Sequence, residues 1–290
     1  MTNIVTTDYT IDKIAAPSLP LAPTEWDSRY QDQFSNVLRL YFNRLDDFIA
    51  RLSTSGAPSA NGSGLKFPSG SWYDVASQSA VDINTPYPVR FASTLAHNDI
   101  DLANYVTTFV GSIGPASTTL TVTSTSGVIE PGMVLTGNSV TAGTYIHKQL
   151  TGTAGSTGTY QVSISQTRAS GTFTGTAANT VLTNVLAGYY NIQFSLQISK
   201  SSGGSAFAWV WPRVNGLDIP ASNTKIAIQG TNAEVVAAWN FVLPLNAGDK
   251  FQLMWATDDV DVSIFQEASN AFSPAIPSAI VTATFVSALY

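Results

Sequence analysis

Three carboxylates stand within four residues at Asp258, Asp259 and Asp261, in the run Thr257-Asp258-Asp259-Val260-Asp261. Such a cluster could hold a hard cation such as calcium through oxygen ligands. A calcium loop of the EF-hand kind also needs further spaced oxygens and a glycine, and these are missing. The favoured reading of the run is a solvated hairpin tip, with Asp258, Asp259 and Asp261 kept as weak metal candidates.

His97 and His147 are the only histidines, and the sequence places no carboxylate at metal-ligand spacing around either. A Ser-His-Asp triad or an HExxH zinc site needs more than these two residues supply. Ser201-Ser202-Gly203-Gly204-Ser205 has the small residues of a phosphate cradle, yet lacks the following helix and lysine, so it reads as a turn. The six Trp and eleven Tyr could stack on sugars. Trp209, Trp211, Trp239 and Trp255 are nevertheless assigned to structure, because aromatics in alternating strands bury large areas. Exposed loops such as 268–272 are where a glycan site is conceivable. No catalytic residue and no cofactor site is nominated.

Composition supports a displayed surface more than a reaction centre. Only 11% of the 290 residues are charged, against about a quarter in ordinary soluble domains. A hydrophobic content of 44% rules against disorder. The net charge of −6, with thirteen unclustered Lys and Arg, argues against nucleic acid as a partner. Without cysteine there are no disulfides, thiolate metal sites or cysteine nucleophiles. The first residues lack the basic and apolar regions of a signal peptide. No apolar run is long enough for a transmembrane helix, so membrane insertion is not expected.

The elements that must carry these residues fall into zones. Residues 1–23 end in Pro17-Ser18-Leu19-Pro20-Leu21-Ala22-Pro23, which favours an extended arm. Thr24 is the expected N-cap of a helix over 24–52, with Glu25 and Asp27 at its positive end. Its apolar stripe is Trp26, Tyr30, Phe34, Val37, Tyr41, Leu45, Phe48 and Leu52, an eleven-residue repeat that suits a nearly straight bundle. The stripe needs a partner, and self-association is favoured over packing on the sandwich. Residues 53–64 read as a flexible tether.

The remainder is β. Tyr190, Ile192, Phe194, Leu196 and Ile198 alternate with polar residues, Asn215-Gly216 marks a hairpin, and Asn246-Ala247-Gly248-Asp249 marks another turn. Strand character resumes at Val89-Arg90-Phe91 after a turn at Asn84 to Pro88. The expected sandwich occupies 65–106 and 177–290. Between them, 107–176 is rich in Thr, Ser and Gly, with short strands at Leu120–Thr123, Met133–Leu135, Tyr145–His147 and Tyr160–Ile164. This segment reads as a small β module inserted into the sandwich.

Gly188-x-Tyr190-x-x-x-Phe194, Asn215-Gly216, Leu245-x-x-Gly248-Asp249 and the closing run Pro277 to Val286 together resemble C1q/TNF-like jelly rolls. Tyr73-Asp74, Asn84 to Val89, Trp239-Asn240-Phe241 and Leu253-Met254-Trp255 are similar to C1q-like modules of bacteriophage virion proteins. Pro20-Leu21-Ala22-Pro23-Thr24-Glu25-Trp26-Asp27 and the helix behind it resemble short phage structural proteins. The resemblance implies a non-enzymatic homotrimer located in the virion. Its residues 1–52 would contact other virion proteins, and its jelly-roll head would meet a host-surface glycan or protein as a tail or head fibre or spike. A decoration or cement protein that stabilises the particle is the alternative. A glycan-degrading tailspike, which would need a carboxylate pair in a groove, is the least favoured reading.

Overall fold

In the computed structural model the described residues are 18–20, 25–54 and 67–289, with only the backbone described for 47–54. Residues 1–66 and 67–290 form two units. Most of the expected arm and of the tether at 53–64 therefore lies outside the described residues.

The first unit contains α1, Ser28–Thr54. It starts later than expected, because the cap is Asp27 and not Thr24. The Arg29 N–H donates to Asp27 Oδ1 at 2.8 Å, and the Gln31 N–H reaches the Asp27 carbonyl at 3.2 Å. An aspartate caps better than a threonine and also sets a negative charge against the positive end of the helix. Asp27→Ala is expected to cost the helix about 1 kcal/mol. Circular dichroism of a peptide spanning 25–54 checks this, and unchanged helicity in the variant would show that the cap is not used.

The second unit is mainly β. Its strands, all paired antiparallel, are β1 (Ser69–Asp74), β2 (Gln78–Ser79), β3 (Tyr87–Pro88), β4 (Ser93–Asn98), β5 (Ile100–Thr125), β6 (Val134–Gly137), β7 (Ile146–Gly152) and β8 (Gly158–Asn184). They are followed by β9 (Gly188–Lys200), β10 (Ser205–Val214), β11 (Leu217–Asp218), β12 (Thr224–Gln229), β13 (Ala233–Leu245), β14 (Lys250–Thr257), β15 (Val262–Ile264) and β16 (Ala279–Ser287). In the first sheet β9 is central: β13 runs along one edge of it, β16 and β15 share the other, and β16 leads on to β1 and β4. In the second sheet β10 carries β11 and β12 on one side and β14 on the other, and β14 leads to β3, β8 and β5.

Alternation explains the sandwich. Tyr190, Ile192, Phe194, Leu196 and Ile198 of β9 are buried, and they share one core with Val210, Phe251, Leu253 and Trp255 of the second sheet. Each such side chain contributes roughly 1.5–3 kcal/mol on leaving water. The Asn215-Gly216 hairpin joins β10 to β11 with positive φ at both residues, 51° and 80°, as the tight turn requires. Val89 to Phe91 forms no strand. Instead the Val89 and Phe91 N–H groups donate to Leu253 O and Asn179 O, which pins an irregular segment into the core.

The Thr-rich segment is built differently from the expected row of short strands. β5 and β8 run continuously out of the second sheet, curl, and enclose a second core. Phe109 of β5 pairs with Phe173 of β8, and Gly175 of β8 pairs with Leu135 of β6. Val134 of β6 bridges to Tyr145, and β7 pairs with the first half of β8. That half pairs with the end of β5, whose following residue Ser126 donates its N–H back to Thr108 O at 2.8 Å. The result is a small closed barrel without a free edge on that side. Gly111 permits the closure, since a Cβ there would stand 2.6 Å from the Thr121 carbonyl oxygen. The barrel core takes in Tyr105 and Val181 and so reaches beyond 107–176 at both ends.

Candidate functional site

The outward face of β10 carries a row of aromatic and charged side chains. Ala206, Ala208 and Val210 point into the core, which leaves Phe207, Trp209, Trp211 and Arg213 in a row on the other face. Phe207 and Trp209 lie 6.0 Å apart, centroid to centroid, and tilt by 48°. Lys225 of β12 stands opposite Trp209, with its Nζ 3.6 Å from the centre of the Phe207 ring and 5.4 Å from that of Trp209. All three aromatic side chains are half-buried, while Lys225 is exposed.

The row ends in a chain of polar contacts. Trp211 Nε1 donates to Asp218 Oδ1 at 2.7 Å, and Arg213 Nε donates to the same oxygen at 2.7 Å. Arg213 Nη1 then donates to Glu130 Oε1 at 3.1 Å, and Gln252 Nε2 donates to Glu130 Oε2 at 3.0 Å. Glu130 belongs to the barrel and is fully buried, so this chain fastens the barrel to the outer face of the sandwich. It also accounts for β14, whose Gln252 is buried on the side facing away from the sandwich core.

Charge in this chain is set by burial against pairing. Burial pushes the Glu130 carboxyl above its ordinary value, and the Gln252 and Arg213 contacts offset only part of that push. For Asp218 burial acts upward too, but the hydrogen bonds from Arg213 and Trp211 outweigh it and hold the carboxyl below its usual range. Burial would lower Arg213, yet its two carboxylate partners raise it. The arrangement holds Trp211 and the barrel in fixed positions.

The acidic run lies in the turn between β14 and β15, where the Asp258 and Asp259 carboxylates do separate work and Asp261 acts through its backbone. Asp258 Oδ1 accepts from the Phe207 N–H at 2.7 Å. Asp259 Oδ1 accepts from the Asp261 N–H at 3.0 Å, while its Oδ2 pairs with the Nζ of Lys200. Lys200 is fully buried and also donates to Ser202 Oγ at 2.9 Å. The Asp261 carbonyl accepts from the Ser201 N–H at 3.1 Å. The Lys200 ammonium first, and the Asp261 N–H second, hold the Asp259 carboxyl below its usual range. The run is thus stitched to the Ser201–Ser205 turn rather than simply solvated. Among the described residues no group of three His, Asp or Glu side chains is placed to share a metal ion.

Each histidine has one carboxylate neighbour. His97 Nδ1 lies 3.6 Å from Asp101, and His147 Nδ1 lies 3.7 Å from Asp82, which also pairs with Lys148 at 2.9 Å. His147 stacks on Tyr145 at 5.0 Å. Because Asp82 belongs to the sandwich and Lys148 to the barrel, this contact too joins the two.

In the helix, Tyr30, Phe34, Val37, Tyr41 and Leu45 are half-buried, and Tyr30 stacks on Phe34 at 6.1 Å. Trp26 precedes the cap and is 81% exposed, so it is not a residue of the helical stripe. The side chains of Phe48 and Leu52 lie outside the described residues. Among the tryptophans assigned to structure, Trp255 is buried in the core, but Trp239 on the edge strand β13 is 58% exposed. Phe272, in the loop 268–272, is 90% exposed behind an Asn270 side-chain turn.

Sequence reasoning missed Glu130, Arg213, Asp218 and Lys225. One signal was available for Glu130, which is the single carboxylate between Asp101 and Asp218. A lone acid in a segment that otherwise avoids charge marks a specific partner.

No protein-family model and no curated protein matches this chain. Among solved structures it resembles an insecticidal delta-endotoxin of Bacillus thuringiensis at 8% identity and TM-score 0.21, over 89% of this chain and 65% of the toxin. It also resembles infectious bursal disease virus structures of the Gt strain (9% identity, TM-score 0.17) and the Gx strain (10%, 0.16), each over 83% of this chain and 82% of the other. The chain spans just under two thirds of the toxin. Scores this low do not establish a shared fold.

Proposed function

We propose that this chain is a non-enzymatic virion structural protein of a bacteriophage. It assembles as a homotrimer, is held to the particle through residues 1–52, and displays a C1q/TNF-like jelly-roll head for host-surface attachment. The observation that carries the reading is the pairing of two unlike units. One contains a helix whose aromatic stripe stays half-open, with Phe42 55% exposed beside it, and the other is a β sandwich with a barrel fastened to its face. A helix of this composition is marginal in water until its stripe is covered, and copies of itself supply a matching surface. Three identical heads on one stem turn weak contacts into strong attachment.

Light scattering on the full chain tests the assembly: a mass near 30.7 kDa would defeat the trimer. Phe34→Ala with Tyr41→Ala is expected to shift the mass toward monomer, since both are stripe residues. Electron microscopy of the particle tests the location. Competition of the purified full chain against particle adsorption separates attachment from the alternative of a cement protein, which would not block infection.

A further inference from the structure

We infer that the outer face of β10 and β12 is a binding platform for an acidic polysaccharide, with sugar rings stacked along Trp209 and Trp211 and a carboxylate of the glycan paired with Lys225, which Phe207 supports from below. This deepens the attachment reading and rests on it only for where the polysaccharide is met.

Side chains two residues apart on a strand point the same way and stand roughly 6.6 Å apart, so β10 presents Trp209 and Trp211 in file to consecutive units of an extended chain, with the Phe207 ring beneath Lys225. Aromatic rings supply large, rigid contact area at little entropic cost, which suits the flat apolar faces of sugars. The file is held in place before any ligand arrives. Trp211 is tied to Asp218, Asp218 to Arg213, and Arg213 to the buried Glu130 of the barrel. Such a site loses little freedom on binding.

Charge selects the ligand class. Lys225 is exposed, and its ammonium rests on the Phe207 and Trp209 rings. Among the described residues it forms no ion pair. In a chain of net charge −6 this cation, set on an aromatic file, suits an anionic group carried by a ring-shaped ligand. Two acids border the row and both are engaged: Asp218 shares its Oδ1 between Trp211 and Arg213, and Asp258 accepts from the Phe207 N–H. Lysine is depleted in the cores of protein–protein interfaces, which weighs against a subunit contact here.

The test is affinity electrophoresis of the full chain through gels containing polygalacturonate, hyaluronate or polysialic acid, with dextran as the neutral control. Retardation by at least one acidic polysaccharide, weakened by salt and absent with dextran, is expected. Trp209→Ala should weaken it about tenfold, and Lys225→Gln by up to about fivefold with loss of the salt dependence. Lys225 is exposed, so its variant reports on the site even where Trp209→Ala disturbs the fold. The inference is overturned if none of the three acidic polysaccharides retards the chain or if both variants behave as wild type. It also fails if Trp209→Ala lowers the light-scattering mass, which would make this face a subunit contact. Retardation by a chain that is absent from particles would defeat the attachment reading alone. Its absence in a chain found on particles would defeat the glycan inference alone.

Discussion

Arg213→Met is expected to destabilise the 67–290 unit by roughly 3–5 kcal/mol, the range seen when one partner of a buried ion pair is removed. The variant keeps the length and apolar stem of the side chain and removes the guanidinium between Glu130 and Asp218. Glu130 is then left fully buried, with Gln252 as its remaining side-chain donor. Adding Glu130→Gln should recover most of the loss, because a neutral amide has no charge to desolvate. The deficit should also depend on pH. In the wild type the Glu130 carboxyl is already raised from its ordinary 4.5 by burial. A raised group contributes stability that is fully present below the unfolded value and is lost as pH rises through the folded value. Without Arg213 the folded value climbs further, so the gap between variant and wild type should widen from acid toward neutral pH. Urea unfolding at both ends of that range measures it. A deficit under 1 kcal/mol, or one equal at acidic and neutral pH, would show that the pair does not hold the barrel in place. Release of Trp211 should follow in the same variant as a change in indole fluorescence.

What could be read from the sequence was local. β9 was legible because its period of two has one buried face and no interruption, and the Asn215-Gly216 turn because only residues tolerant of positive φ fit it. The turn at Asn246–Asp249 was legible for the same reason, with Gly248 at φ 83°. The barrel was legible as a change of composition but not as a closed structure. Its long strands β5 and β8 bend midway, their partners change along their length, and small Thr, Ser and Gly residues give little periodic contrast. The helix start failed by a few residues because Asp27 and Thr24 both satisfy the capping rule and only geometry separates them. The polar chain at the candidate site was the hardest to see. Glu130 and Arg213 are separated by 83 positions, and each looks ordinary in its own neighbourhood: a turn residue before Pro131-Gly132, and a charge at the end of an aromatic strand.

Loss of the Asp259 carboxylate is the second large effect, and it is asymmetric between the partners. Asp259→Ala leaves the Lys200 ammonium fully buried with Ser202 Oγ as its side-chain acceptor. The expected cost is roughly 2–3 kcal/mol, below the range for an enclosed pair because water reaches the Asp259 side chain, which is 29% exposed. Lys200→Met removes the charge that needs a partner and fills the same space, so it should cost less than about 1 kcal/mol. The acid limb of the stability curve gives an independent reading. Asp259 sits below its ordinary 3.8, held there first by Lys200. Its contribution is therefore complete above that value and disappears as pH falls through the lowered one. Both variants should flatten the curve in that acid window, but only Asp259→Ala should also lose stability at neutral pH. If Lys200→Met proves the more damaging of the two, the buried ammonium stabilises the joined turns through contacts other than Asp259. Asp259 would then be free of its structural duty, while Asp258 would still hold the Phe207 N–H.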